Sequence, residues 1–308
     1  GASIKISEAY GEGNFELVKR RVSTLFALCG LLGMAILAIL IPVAPQFLRL
    51  ANTPEEFIEE GTVYFILELV SLVIIFFNNV YIAIERARGN SKRILNLNMM
   101  VIGIKLSLTA FFVYVLKGGI NYISIATIVS QLTLFGAAVF YMNAKENVFG
   151  FSWKAISFRK LVVAPMIKLS VPVIVEKMAF SLGKVVVNSM STVYGTLTVG
   201  ALGISNNIGG ITTNPQNGFQ EGASAIISQN LGAGKTDRVV KGFNSSNVMN
   251  VIFSAVVLVL FWTFTLPIVS IFGKDAEVLR IASDGLRITS CFYVFLGLIY
   301  TTRNVLNG

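Results

Sequence analysis

The residues able to do chemistry in this chain are few, and most of them sit inside apolar runs. Glu68, Lys105, Glu176, Lys177, Lys184, Glu221 and Arg287 all fall within long, mostly hydrophobic stretches. A charge in that setting is costly, so each is a functional candidate. Glu176 leads them, one helical turn after Pro172 and near the middle of its stretch. A carboxylate placed there is a candidate to bind a proton or a cation. The chain has no histidine, which excludes a Ser-His-Asp triad, a histidine base and any histidine-ligated metal. Cys29 and Cys291 lie in separate apolar runs, so a zinc cluster or disulfide framework is not expected. Gly232-Ala-Gly-Lys235-Thr236 imitates the end of a phosphate-binding loop, but position 229 is Gln where that motif needs Gly. No enzyme, cofactor or metal site is expected. Nucleotide hydrolysis by this chain itself is not expected either.

Two polar stripes can line a cavity around these charges. Ser170, Lys177, Ser181, Lys184 and Asn188 recur at helical spacing on one segment. Asn206, Thr213, Asn217, Gln220 and Ser224 do so on the next. Pro215 interrupts the second stripe and frees the carbonyl of Ile211 for another hydrogen bond. Lysines 105, 177 and 184 would repel organic cations unless paired or neutral, so the charge of the substrate stays open at this point.

The elements that must position these groups are membrane helices. Hydrophobic residues make up 54% of the 308-residue chain and charged residues 13%, with a mean hydropathy of +0.72. A soluble domain carries about 25% charge. A bilayer core needs about 20 apolar residues per helix, since unpaired backbone is not tolerated in hydrocarbon. Runs of that kind predict eight spans, near 22–46, 62–84, 97–117, 120–142, 167–192, 197–230, 244–270 and 282–303, with a partial span at 1–10. The runs are continuous, which favours helices over barrel strands. Segments 11–21, 85–96, 143–168 and 232–243, with Arg303, hold 16 of the 25 Lys and Arg residues. The intervening connections hold four, beside seven acids. The positive-inside rule places the first set in the cytoplasm. The net charge of +9 is then a mark of topology. The bilayer is the expected partner, nucleic acid is not, and a monomer is expected.

An internal repeat organises these spans. Gly1-Ala-Ser-Ile-Lys-Ile-Ser-Glu-Ala-Tyr-Gly-Glu-Gly returns as Gly222-Ala-Ser-Ala-Ile-Ile-Ser-Gln-Asn-Leu-Gly-Ala-Gly. Acids follow at Glu16 and Asp237, then a long apolar span, a proline (Pro45, Pro267) and an outer helix start. That start is Thr53-Pro54-Glu55-Glu56 in the first copy and Asp275-Ala-Glu277 in the second. Both copies face the same side at the Gly-x-Gly turn, so the repeats are parallel, a recurrent transporter plan with substrate between the halves. The expected organisation is an N-terminal lobe at 1–142, a cytoplasmic linker at 143–166 and a C-terminal lobe at 167–308. The fold class is all-α, integral to the membrane, with two helical lobes. Glycines 30, 33, 103, 183, 200, 203, 209 and 210 are expected at close helix approaches.

The chain resembles the multidrug and toxic compound extrusion (MATE) family. The resemblance rests on Gln229-Asn-Leu-Gly-Ala-Gly after Gly222-Ala-Ser, on Leu169-Ser-Val-Pro172 with Phe180-Ser-Leu-Gly183, and on Val199-Gly-Ala-Leu-Gly-Ile-Ser-Asn206. It implies twelve helices in two lobes, of which this chain matches the end of helix 2 through helix 10. It also implies ion-coupled antiport of drugs or amphipathic metabolites by alternating access in the cell membrane. The alternative is a flippase for lipid-linked saccharides or cell-wall precursors. Several branches carry an acid on the helix that holds Glu176, about one turn further along, where this chain has Phe180. Other branches use an acid on helix 1. On this template the chain reads as a fragment of a protein of roughly 420 residues, lacking helices 1, 11 and 12 and most of helix 2.

Overall fold

The computed structural model describes residues 2–50, 55–144 and 147–307. Thr53 and Pro54 of the outer helix signal, and Gly1 of the repeat, lie outside them. Twelve helices and no strands are found among the described residues. In chain order they are α1 (Ala2–Gly11), α2 (Phe15–Leu40), α3 (Ala44–Leu50), α4 (Ile58–Ala87), α5 (Ser91–Ala110) and α6 (Ile120–Met142). There follow α7 (Lys160–Ser191), α8 (Thr196–Gly232), α9 (Thr236–Thr263), α10 (Thr265–Ser270), α11 (Ala276–Ser290) and α12 (Tyr293–Asn307). Helices α2, α4, α6 and α9 are long and apolar enough to cross a membrane, as is α5 with the turn that extends it to Val115. The bent pair α11 and α12 makes a sixth span if counted as one. Helices α7 and α8 have the length, about 48 and 55 Å at 1.5 Å per residue, but α7 carries too many charges and α8 too many polar residues to count among these spans. The protein is a multi-pass, all-α membrane protein.

The repeat is visible in the backbone. Gly13 and Gly234 end the two copies of the motif in the left-handed region, at φ 74° and 70°. Glycine alone reaches that region without a Cβ penalty, which is why both turns keep it. Asn14 then caps α2 by accepting from Leu17 N at 3.1 Å. From there α2, α3 and α4 match α9, α10 and the pair α11 and α12. Asp275 caps α11 as expected, accepting from Glu277 N and Val278 N at 3.0 Å each. The copies differ in one respect. α4 is a single helix of 30 residues, whereas its counterpart bends by 47° between Ser290 and Tyr293.

The chain packs as two compact units. One comprises Gly1–Glu12 with Pro165–Gly308, the other Gly13–Ala164. In the first, α8 is the hub, packed against α1, α9, α11 and α12. Its core gathers Ile204, Ile208, Phe261, Val269, Leu286 and Tyr293. In the second, α4 is the hub, packed against α2, α3, α5 and α6. Asn78 on α4 donates to the carbonyl and side-chain oxygens of Gln131 on α6, at 2.9 and 2.8 Å. At the basic end of α4, the wholly buried Glu85 takes Arg93 at 3.2 Å and Arg88 at 3.8 Å. The Arg93 guanidinium also stacks 4.0 Å over the Tyr141 ring. A buried acid held by two arginines and an aromatic face is a structural clasp. Of the glycines expected at close approaches, Gly33 meets Val73 closely, and an added Cβ at Gly209 would come 3.1 Å from the Tyr293 hydroxyl. Gly103, Gly183 and Gly203 have nothing within 4 Å, so packing inside their own unit does not require them.

Candidate functional site

Glu176 sits on α7, and its carboxylate oxygen lies 2.5 Å from Nη1 of Arg303 on α12. The acid is 49% exposed and the arginine 18%. Arg303 Nε is buried and has no hydrogen-bond partner among the described residues, where Glu176 is the acid paired with this cation. One turn before Arg303, the Tyr300 side chain lies close to that of Asn217 on α8 and within electrostatic reach of both charges. Asn217 in turn donates from Nδ2 to the carbonyl of Thr213, at 2.9 Å. Glu176, Asn217, Tyr300 and Arg303 therefore form one polar cluster across α7, α8 and α12. Its chemistry is that of a carboxylate already holding a tethered cation.

The rest of the expected lining divides. Lys177, Ser181, Lys184 and Asn188 lie on a stretch of α7, Ile167 to Met190, in which no side chain is buried. Lys184 caps the Phe180 ring, with Nζ 5.1 Å from its centroid, a cation–π contact one turn apart. Asn206 is exposed, Thr213 and Asn217 are half-buried, and Gln220 is buried. The other intramembrane charges have local partners or open surroundings. Ser124 Oγ donates to Glu68 at 2.6 Å, joining α6 to α4. Arg287 Nε donates to Thr265 Oγ1 at 3.2 Å and so ties α11 to the start of α10. Lys105 is exposed on α5. Lys5 pairs with Glu8 within α1 at 2.6 Å.

A second polar face of α8 was only half caught by the sequence reading, which had Gln220 and Ser224 but not the others. Thr212, Gln216, Gln220, Ser224 and Ser228 recur every four residues and are all buried. Gln216 Nε2 donates to Ser254 Oγ and to the Tyr293 carbonyl, each at 2.9 Å. That carbonyl belongs to the first residue of α12, just past the bend, so the amide of α8 fastens the start of that helix. Asn250 is buried beside Gln216 across Gly297, where an added Cβ would lie 3.0 Å from Gln216 Nε2 and 3.3 Å from Asn250 Cβ. Neutral amide oxygens of this kind suit a water or a monovalent ion. Among the described residues no group of three His, Cys, Asp or Glu could hold a metal. Gln216→Leu removes two buried bonds that join α8 to α9 and to α12, so it is expected to cost about 1–3 kcal/mol. Thermal unfolding in detergent checks this.

The tightest approach in the first unit is made by the repeat itself. An added Cβ at Gly11 would lie 2.0 Å from the Gln229 carbonyl oxygen, and one at Gly232 would lie 2.2 Å from the Glu8 carbonyl oxygen. Gly11 and Gly232 are repeat equivalents, as are Glu8 and Gln229. The ends of α1 and α8 thus cross reciprocally, backbone against backbone. Ile6 with Ile227, and Ser7 with Ser228, are matched pairs in which every member is buried.

The residues of this crossing, and those around Glu176, fall within the regions matched by a known family model, MatE, which covers 1–112 and 172–308. The chain belongs to the MatE family. It is 26% identical over 304 residues to the probable multidrug resistance protein YoeA of Bacillus subtilis, covering 96% of this chain and 66% of that protein. It is 21% identical to the probable multidrug resistance protein NorM of Thermotoga maritima, covering all of this chain and 67% of the relative. The chain therefore spans about two thirds of the length of these relatives. Among solved structures, an outward-facing multidrug resistance MATE transporter matches with a TM-score of 0.93 at 18% identity, over 100% of this chain and 69% of that one. A Vibrio cholerae MATE transporter matches at 0.92 and 19%, over 99% and 69%. These likenesses show the MatE fold. The MatE model matches α7 only from Pro172 onward, so it includes Glu176, while the linker lies outside it.

Proposed function

We propose that the full protein is a secondary exporter of drugs or amphipathic metabolites, coupled to inward movement of Na+ or H+ and working by alternating access. Its place is the plasma membrane, where it acts as a monomer on small-molecule substrates. The observation that carries this reading is the reciprocal crossing of α1 and α8. Alternating access needs an end of the molecule that closes fully and reopens. Two repeat-related helix ends that meet through glycine backbone make a tight seal. Little charge has to be removed from water to form it, so it can separate at modest cost. The basic residues beside both turns put this seal on the cytoplasmic side. The relatives named as multidrug resistance proteins support the substrate class.

Glu176 is the coupling residue in this reading. A cation or proton that reaches its carboxylate competes with Arg303, and release of Arg303 frees α12 from α7. The whole proposal is tested by expressing the full-length gene in a pump-deficient bacterium and following dye efflux under imposed Na+ and H+ gradients. Efflux that collapses when one gradient is removed is expected. Efflux of no dye in a broad panel under either gradient overturns it.

A further inference from the structure

The second unit holds a cleft that the transport reading does not use, and its α6 wall and closing segment lie outside the matched regions. It has a volume of about 690 Å³, inside the range of about 300–1,000 Å³ typical of ligand sites. Its walls are α2 and α6, its floor is Phe77 of α4, and the segment 151–158 closes one end. A chain of rings runs along it. Phe135 meets Phe77 edge-on at 5.8 Å, Phe77 stacks on Phe26 at 6.4 Å, Phe26 meets Phe151 at 6.2 Å, and Phe151 meets Trp153 at 5.0 Å. The closing segment is bonded in place. Ser152 N donates to Ser23 Oγ at 3.0 Å and Ser157 N to Thr24 Oγ1 at 3.0 Å, with both α2 hydroxyl residues fully buried. The cleft is thus a built feature with a fixed rim, and Leu31, Val139 and Trp153 at its edge are exposed.

We infer that this cleft binds one acyl chain of an anionic phospholipid from the cytoplasmic leaflet. The apolar lining lies on three membrane-spanning helices, so its natural contact is hydrocarbon. The charge at the rim selects the headgroup. Lys154, Arg159 and Lys160 are exposed on and beside the segment that carries Trp153 and Phe158. The linker's only acid, Glu146, precedes that segment. A phosphate-bearing headgroup with net negative charge is held at such a basic edge, while its chain lies against the rings. Gly30 lines the cleft, and an added Cβ there stays 3.7 Å from Phe77, so larger side chains at this position grow into the cavity.

The test uses the full-length protein with Trp262, and any tryptophan beyond residues 1–308, replaced by Phe, so that Trp153 alone reports. It is reconstituted in phosphatidylcholine vesicles containing increasing fractions of chain-brominated phosphatidylglycerol or chain-brominated phosphatidylcholine. Quenching of Trp153 should saturate with the anionic lipid, at a mole fraction at least about fivefold lower than with the zwitterionic one. Gly30→Leu should remove the saturable part, and Arg159→Gln with Lys160→Gln should erase the preference while leaving the fold intact. Quenching that rises in proportion to mole fraction, equally for both lipids, overturns the inference. So does a saturable site that shows no anionic preference and is emptied by a transported dye, which would give the cleft to substrate. Should Gly30→Leu misfold, the surface double variant still decides the question.

Discussion

Gly232→Ala is expected to open the crossing of α1 and α8, although alanine is the better helix former by about 1 kcal/mol. Propensity and packing here have opposite signs, and the distances decide between them. A Cβ 2.2 Å from a carbonyl oxygen is closer than any real contact, and the obstacle is backbone of a facing helix that cannot rotate aside. The helices must separate by the better part of an ångström. Overpacking of this kind costs about 1–3 kcal/mol. That cost falls only on the state in which the two ends touch, so its population should drop by roughly 5–150-fold. Gly11→Ala should do the same, because its Cβ would meet the Gln229 carbonyl at 2.0 Å. The measurement is labelling of a Ser228→Cys reporter, fully buried in the crossing, by an impermeant maleimide in inside-out vesicles of a protein otherwise free of cysteine. Labelling should be slow in the parent and accelerate in either glycine variant, with dye efflux falling in parallel. Equal labelling rates in parent and variants would show that the crossing is not a working seal.

The same crossing explains why the repeat was the most legible feature of the sequence. A backbone contact leaves no freedom at the glycine, so both copies keep it, and the adjoining left-handed turns keep Gly13 and Gly234 for an equally strict reason. Features that rest on side chains left weaker marks. Nothing in the run around Cys291 and Phe292 announces a bend, since neither proline nor glycine stands there. The helix is broken in its tertiary setting, where Gln216 and Ser254 take the Tyr293 carbonyl. Gln216 itself was missed because α8 has two polar faces, and periodicity cannot say which looks into the protein. On α7 the polar stripe shares its exposure with nearly every side chain from Ile167 to Met190, and spacing alone does not tell a cavity wall from a surface. Arg303 was read as one more cytoplasmic charge. Its pairing with Glu176 joins segments far apart in sequence, and no local pattern encodes that contact.

That pairing gives the second large effect. Glu176→Gln is expected to lower gradient-driven efflux by at least about tenfold, in line with couplings of 1–3 kcal/mol between sites. Stability should change less, because the carboxylate that is lost is half-exposed and the amide that replaces it still offers Arg303 an oxygen. The control that separates coupling from packing is Arg303→Gln, alone and combined with Glu176→Gln. If the pair merely fixes α12 against α7, the double variant restores what the single variant loses, since no uncompensated guanidinium remains. If Glu176 is the coupling acid, the double variant stays inactive. Arg303→Gln alone should then keep efflux while lowering the cation concentration needed for half-maximal rate, because the tethered competitor is gone. The ion that shows this shift, Na+ at fixed pH or H+ at fixed Na+, is the one that reaches the carboxylate. Full recovery of efflux in the double variant would reduce Glu176 to a packing residue and send the search for coupling elsewhere, first to the neutral amides of Gln216 and Asn250.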